Sequence, residues 1–407
     1  MKEMRRNQLT LLLGLLLSVS ALQSCKQQAA QKDSSTTIPT DIPWSQRMAE
    51  TIMHDFPELW RTEEATAIKW AYTKGLACDG FIALWKETGD KRYFNYAKAW
   101  ADTMINNEGV IWGYKEGDYN IDKINPGKML FELYAETGDP RYERALKTLR
   151  KQLINHPRTE SGGFWHKKRY PHQMWLDGLY MGGPFYTRYG IEYNEPESVD
   201  EAVHWIILME EKSRDAETGL LYHAWDESAE QMWANKETGL SAHFWGRAMG
   251  WYGMALVDML DYLGDHPGRS ELISISQRMA EAICKVQDEE TGVWYQVLDM
   301  PDAEGNFLEG SVTTMFTYFL LKAVNKGYID KSYLDNAKKA YQGTLDHLIK
   351  VRADGGVVLT PICAGAGLGG DPYRDGSYEY YVTEDQRDND PKGMGPFILA
   401  SILYENL

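Results

Sequence analysis

Apolar residues recur three and four positions apart along most of the chain, while alternating strand-like runs are scarce. This spacing predicts twelve helices, over residues 44–55, 68–87, 91–106, 122–137, 140–155, 172–188, 196–213, 242–263, 269–287, 308–326, 331–350 and 391–405. Two boundaries repeat openly, KETGDKRYFNYAKAW at 86–100 and AETGDPRYERALKTL at 135–149. In each, a glycine ends one helix and an aspartate caps the next, with Pro140 at the first helical position of the second copy. A second recurrence relates DAETGLLYHAWD at 215–226 to DEETGVWYQVLD at 288–299. Repeated helical pairs stack into solenoids or close into toroids. Six pairs separated by long loops predict an all-α fold, an (α/α)6 barrel whose even-numbered helices line the inside. No composition break divides residues 41–407, which read as one domain.

The first forty residues depart from this pattern. Lys2, Arg5 and Arg6 precede an apolar run from Leu9 to Leu22, too short to span a bilayer but fitting the core of a secretory signal. The run ends in Leu22-Gln23-Ser24-Cys25, which resembles the lipobox of bacterial lipoproteins, with Gln23 bulkier than the usual residue there. The resemblance implies a signal peptide over 1–24, a lipid on Cys25, and an exported lipoprotein at the periplasmic face or outer membrane. An ordinary cleaved signal is the alternative. Residues 25–40 are polar and turn-forming and read as a tether. Cys78, Cys284 and Cys363 are scattered without a CxxC pair, so buried thiols are expected, although export permits one disulfide.

Among 407 residues, 43 Lys and Arg stand against 59 Asp and Glu, for a net charge of −16. That balance argues against a nucleic-acid partner, whose phosphates demand many cations, but leaves a small anionic ligand open. The 14 tryptophans lean toward carbohydrate, since aromatic faces stack on sugar rings as well as fill cores.

The unusual polar and aromatic residues fall near the predicted starts of even-numbered helices: Trp70 and Tyr72, Asp122, Trp175 and Asp177, His243 to Trp251, Glu309 to Thr313, and Lys392. In a toroid of hairpins those ends converge on one mouth. Asp177 lies within the apolar run Met174 to Met181, so it is either an embedded, hydrogen-bonded carboxylate or a catalytic one with a raised pKa. Asp122, before a helix and between Asn120 and Asn125, reads equally as a cap. The run Lys167-Lys168-Arg169 is ordinarily a solvated loop, but its aromatic flanks suit cations beside an acidic sugar. Arg247 in a Trp-rich helix start suits two-point grip on a carboxylate. His223 in YHAWD reads first as a packed histidine. Gly365 to Gly370 satisfies G-x-G-x-x-G, yet the loop-forming Asp371 to Gly376 follows where a dinucleotide site needs a helix. No HExxH, P-loop or G-x-S-x-G occurs, and no metal or cofactor is expected.

Taken together, MWLDGLYM at 174–181, YNIDKINPGK at 119–128 and WGRAMGW at 245–251 resemble glycoside hydrolase family 105, the unsaturated rhamnogalacturonyl hydrolases, close to the unsaturated glucuronyl hydrolases of family 88. The likeness runs from about residue 44 to GMGPFILA at 393–400. It implies an (α/α)6 barrel that hydrates the C4=C5 bond of an unsaturated uronate left by a polysaccharide lyase. By the same resemblance Asp177 is the general acid/base and Asp122 the second acid, which positions the substrate. Tyr72, Lys167, Lys168, Trp175, His223, Arg247 and Trp251 match pocket positions. Gly310 departs from the pattern, standing where relatives more often carry a hydroxyl residue. The alternatives are an inverting glycosidase on saturated glycosides, using Asp122 and Asp177 as base and acid, and a non-catalytic glycan-binding lipoprotein.

Overall fold

The computed structural model describes residues 37–407; the signal segment and Cys25 lie outside the described residues. Gly89 and Gly138 both take left-handed φ values of 74° and 67° and end their helices there. Asp90 and Asp139 follow, and each accepts the amide of the residue two positions on. The repeated boundary in the sequence is therefore the same helical corner built twice. The related turns at 215–219 and 288–292 also share their chemistry, since Asp215 accepts from Thr218 N and Asp288 from Thr291 N, both at 2.7 Å.

Among the described residues twelve long helices result: Trp44–Asp55 (α1), Tyr72–Thr88 (α2), Lys91–Met104 (α3), Lys128–Thr137 (α4), Pro140–Asn155 (α5), Leu176–Glu192 (α6), Pro196–Ser213 (α7), Gly246–Leu260 (α8), Arg269–Lys285 (α9), Gly310–Asn325 (α10), Tyr333–Gly343 (α11) and Pro391–Glu405 (α12). They form an (α/α)6 barrel. The even-numbered helices pack side by side as the inner ring, α2 on α12, α12 on α10, α10 on α8 and α8 on α6. Phe131 of α4 meets Phe185 of α6 at 5.5 Å, and α4 packs on α2 to complete the circle. Inner helices are apolar nearly all round: α10 is buried except at Lys322 and Asn325, and α12 is buried from Pro391 to Ile402. Outer helices bury one stripe, as α5 does with Tyr142, Ala145, Leu146, Leu149 and Leu153.

Connections within α2–α3, α4–α5 and α6–α7 are tight turns at one end, whereas the long segments 105–127, 156–175, 214–245, 286–309 and 344–390 all emerge at the other. The last of these contains a five-residue helix, Tyr378–Val382. Short antiparallel strand pairs brace the loops, including Gln173–Trp175 (β1) with Ala224–Asp226 (β2) and, later, Ile362–Cys363 with Gln386–Arg387. These loops correct several predicted starts. Residues 173–175 are strand, α8 begins at Gly246, and Asp122 sits in a 3-10 turn, Ile121–Lys123, before α4. Pro126 delays α4, because it has no N–H with which to continue a helix from the preceding turn. That turn also packs so tightly on α2 that a Cβ at Gly75 would lie 2.6 Å from Pro126 Cα. At Gly310 a Cβ would meet Pro361 O at 3.1 Å, so a larger residue there requires the Pro361 backbone to give by a few tenths of an ångström. Residues 37–40, assigned above to the tether, already touch the barrel: Ile38 is buried and its amide donates to Asp354 O at 2.8 Å.

The barrel must join its first and last helices without a covalent link. Ser45 at the start of α1 donates through its amide and hydroxyl to Glu405 at the end of α12, at 2.9 and 2.5 Å. At the opposite end, Glu63 bridges Lys74 of α2 at 2.6 Å and Lys392 of α12 at 3.2 Å, and Lys392 also pairs with Asp390 at 2.7 Å. Burial opposes the charge on Glu63, but Lys392 and Lys74 outweigh it and hold the carboxyl at about 2. Glu63 takes a left-handed φ of 61° to reach them. Lys392→Met is expected to destabilise the protein by about 3–5 kcal/mol, because Asp390 and Glu63 keep buried charge without their partner. Denaturant unfolding checks this; a midpoint matching the parent would show that the seam does not depend on the pair.

Candidate active site

The pairing of β1 with β2 builds the centre of the mouth. It sets Trp175 opposite Ala224, so that Leu176 N reaches His223 O at 3.1 Å and Asp177, in the first turn of α6, faces the His223 ring. Asp177 Oδ2 lies 3.2 Å from His223 Nε2, and neither atom has a completed hydrogen bond. The other ring nitrogen, Nδ1, is 2.8 Å from Tyr381 OH. The phenol can donate to Nδ1 or accept from it, so Nε2 can present either a proton or a lone pair to the carboxyl. His223 is fully buried, packed at a tilt of 52° against Trp245 at 4.8 Å.

Asp122 is set differently. Lys167 Nζ sits 2.5 Å from its Oδ2, and His166 Nε2 is 3.4 Å from its Oδ1. Burial resists ionisation, but Lys167, through its charge and its hydrogen bond, outweighs it and holds the carboxyl below the usual carboxylate range. His166 in turn is forced down to about 3, mainly by burial, and stays neutral. Its ring stacks on Trp175 at 4.4 Å, and Trp175 stacks on Tyr170 at 4.9 Å. Trp175 therefore walls the pocket instead of filling the main core.

Across the mouth, Arg247 is almost wholly buried. Its Nη1 donates to Cys363 O at 2.6 Å and to Ser311 Oγ at 3.2 Å, and its guanidinium lies 4.7 Å over the Trp245 ring. Nη2 has no partner. Burial works against the charge, yet Cys363, Glu309 and Tyr72 more than compensate and keep the group firmly protonated. Tyr72 opens α2; burial, then Asp122 and Glu63, push its phenol well above the ordinary value against the pull of Arg247, leaving it a neutral donor. Trp251 lies beneath, edge-on to Tyr72 at 6.2 Å and stacked on Tyr180 at 5.0 Å.

Asp177, Asp122, Tyr72, Lys167, Trp175, His223 and Arg247 thus form one connected group at the mouth. Trp251 packs behind Tyr72, and Lys168 turns outward over Tyr119 at 5.6 Å. Buried polar atoms without partners gather here: Asp177 Oδ2, His223 Nε2, His166 Nδ1, Asn125 Oδ1, Trp245 Nε1, Arg247 Nη2 and Gln296 Oε1. Native interiors seldom leave such atoms unpaired, so their concentration marks a place for a polar ligand. Sequence reasoning missed His166, although it directly precedes the lysine pair, and it missed Tyr381, which nothing local connects to His223 across 158 positions. Among the described residues no three His, Cys, Asp or Glu side chains are grouped to hold a metal, and Cys78, Cys284 and Cys363 are free thiols.

Residues 44–407 match the family model of Glycosyl Hydrolase Family 88. A solved glycoside hydrolase from family 105 of C. acetobutylicum ATCC 824 is 47% identical, with a TM-score of 0.87, over 90% of this chain and all of that one. The unsaturated rhamnogalacturonyl hydrolase YesR of Bacillus subtilis is 27% identical over 272 residues, 65% of this chain and 74% of that protein. Protein Atu3128 of Agrobacterium fabrum is 38% identical over 226 residues, 54% of this chain and 96% of that protein.

Two buried histidines under the mouth make the fold acid-sensitive. His156, bonded to Trp165 O at 2.7 Å, is lowered by burial to about 4, and His166 to about 3, against 6.5 ordinarily. The unfolded chain takes up these protons as pH falls through 6.5, while the folded chain refuses them, so stability present above 6.5 is lost progressively toward pH 4. The melting temperature is expected to fall across that window at constant ionic strength, less steeply in His156→Gln. A flat profile from pH 7 to 4.5, or an unchanged slope in the variant, would contradict the assignment.

Proposed function

This chain belongs to the family described as Glycosyl Hydrolase Family 88, with a family 105 enzyme as a 47% identical relative, and is a glycoside hydrolase; we propose that it hydrates the C4=C5 bond of an unsaturated uronate at the end of a lyase-generated oligosaccharide and so releases the neighbouring sugar. The observation that carries the proposal is Asp177, whose Oδ2 among the described residues has no hydrogen-bond partner and faces the His223 ring, which is itself bonded to Tyr381, and no lysine or arginine. Asp177 gives its proton to C4, and the positive charge that develops is shared by C5 and the ring oxygen. Water adds at C5 and returns a proton to the carboxylate, so one residue serves as acid and then base. The C5 hemiketal opens to a ketone, leaving at C1 a hemiacetal that expels the aglycone. His223 suits both states of the carboxyl by exchanging its proton between Nε2 and Nδ1 across Tyr381.

In this reading Arg247 Nη2 and the Tyr72 phenol hold the uronate carboxylate, Trp175 packs on the sugar, and Asp122 orders substrate hydroxyls. The inverting-glycosidase alternative asks Asp122 to act as a base. Its 2.5 Å contact with Lys167 and depressed pKa make it a weak one. The name of the Bacillus relative favours rhamnose as the released sugar. We also propose that Cys25 is lipidated, with the enzyme tethered at the periplasmic face or outer membrane. Cys25→Ala is expected to move the protein from the membrane fraction to the soluble one; retention in membranes would refute the anchor.

Asp177→Asn is expected to abolish turnover, by more than the roughly 10²–10⁴-fold typical of losing a general acid/base, with the fold intact. Decay of the ultraviolet absorbance of the conjugated double bond reports the reaction. In heavy water the product carries deuterium at C4, and oxygen-18 water labels C5. Label at the anomeric carbon would instead establish the inverting route.

A further inference from the structure

The basic run at 167–169 divides its work. Lys167 is committed to Asp122 and Lys168 to the face of Tyr119, but Arg169 is used by neither. Its guanidinium lies 4.9 Å over one ring, that of Tyr170, and a second guanidinium, from Arg374, approaches the same ring at 6.0 Å. Arg374 is held in place: it donates to Gly369 O at 2.8 Å, Leu368 O at 3.1 Å and Tyr170 OH at 2.7 Å. Among the described residues neither arginine has a carboxylate oxygen within the 4.0 Å ion-pair limit, unlike most cations of this acidic chain. The two arginines, Tyr170 and Gln231 line one open cleft, in which Asp371 is the single acid.

This cleft adjoins the active site but is not part of the first-sugar pocket. The stack of His166, Trp175 and Tyr170, with 4.4 and 4.9 Å between successive centroids, leads from Asp122 out to it. A small apolar cluster of Tyr170, Trp175, Trp233 and Leu368 is separate from the main core and fastens the 365–376 loop there. Trp233 N adds a 2.9 Å bond to Tyr373 OH. The glycine-rich stretch that matched a nucleotide motif is thus one edge of this cleft, and its carbonyls hold the Arg374 cation in place.

Resting on the function proposed above, we infer that the Arg169–Arg374 cleft is a distal subsite that binds the carboxylate of a second uronate, two sugars beyond the scissile position, on longer acidic oligosaccharides. Planar guanidinium forks suit a carboxylate, and the stacked Tyr170 and Trp175 rings beneath them hold the two cations at a fixed place beside the active site.

The test compares the unsaturated disaccharide with the unsaturated tetrasaccharide of a rhamnogalacturonan lyase digest, whose third sugar is a uronate. For the parent enzyme, kcat/KM on the tetrasaccharide is expected to be about tenfold higher, mostly through KM, with the gain shrinking as salt is raised. Arg169→Gln should erase that gain and leave the disaccharide within twofold of the parent. Equal values for the two sugars in the parent, or a gain that survives Arg169→Gln, would overturn the subsite while leaving the proposed reaction standing. A protein that consumes neither sugar would overturn both.

Discussion

The first N–H groups of a helix have no partners inside it, and this barrel gathers the starts of its inner helices around one mouth. Two of them are stoppered by side chains, α10 by Glu309 and α12 by Asp390. The other starts that matter chemically are not: α2 follows Ala71, α6 follows Trp175 and α8 follows Trp245, with no side-chain cap on any of them. These three carry Tyr72, Asp177 and Arg247. Their open ends favour an anion in the space between them. The toroid thus determines both where the chemistry sits and which sign of ligand it welcomes, before any particular residue is considered.

For a chain of net charge −16 to bind an acidic sugar, as proposed, it must separate its local field from its global one. Screening over about 8 Å at physiological ionic strength lets it do so. Arg247 is buried behind Cys363 O and the Trp245 ring, so the surface acids act on it weakly. Glu309 is turned away from the pocket by its own bonds to Ser311, Val312 N and Cys363 N. The Glu63, Lys74, Lys392 and Asp390 cluster is internally paired and closes the seam between α2 and α12.

The barrel was legible in the sequence because helix corners are local: Gly89 with Asp90 and Gly138 with Asp139 announce themselves within three residues. The site was legible to the extent that inner-helix starts could be counted along the chain. Helix starts at the mouth were misplaced by a few residues, since the apolar run through Met174 and Trp175 fits a short buried strand as well as a helical turn. Contacts made by long loops left no trace. Tyr381 reaches His223, and Cys363 O reaches Arg247, through a segment with no periodicity of its own. His166 was overlooked for a different reason. Its role comes from a stack on Trp175 and a contact with Asp122, and neither is a spacing.

The two carboxylates show how one scaffold separates two roles. Asp122 meets Lys167 and His166 and is committed to its charge, which suits ordering hydroxyls and ill suits taking a proton. Asp177 faces the His223 ring and, among the described residues, is paired with no lysine or arginine, which in the proposed reaction leaves its Oδ2 open to the substrate. A base for ordinary glycoside hydrolysis would need Asp122 released from Lys167. In this barrel that release is opposed by the loop itself, because Asn120 pairs with Lys167 across a β-bridge and Lys168 N is bonded to Tyr119 O at 3.1 Å. The loop that carries the lysine is thereby sewn to the turn that carries the aspartate, and the proposed hydration at C5 asks nothing of Asp122 as a base.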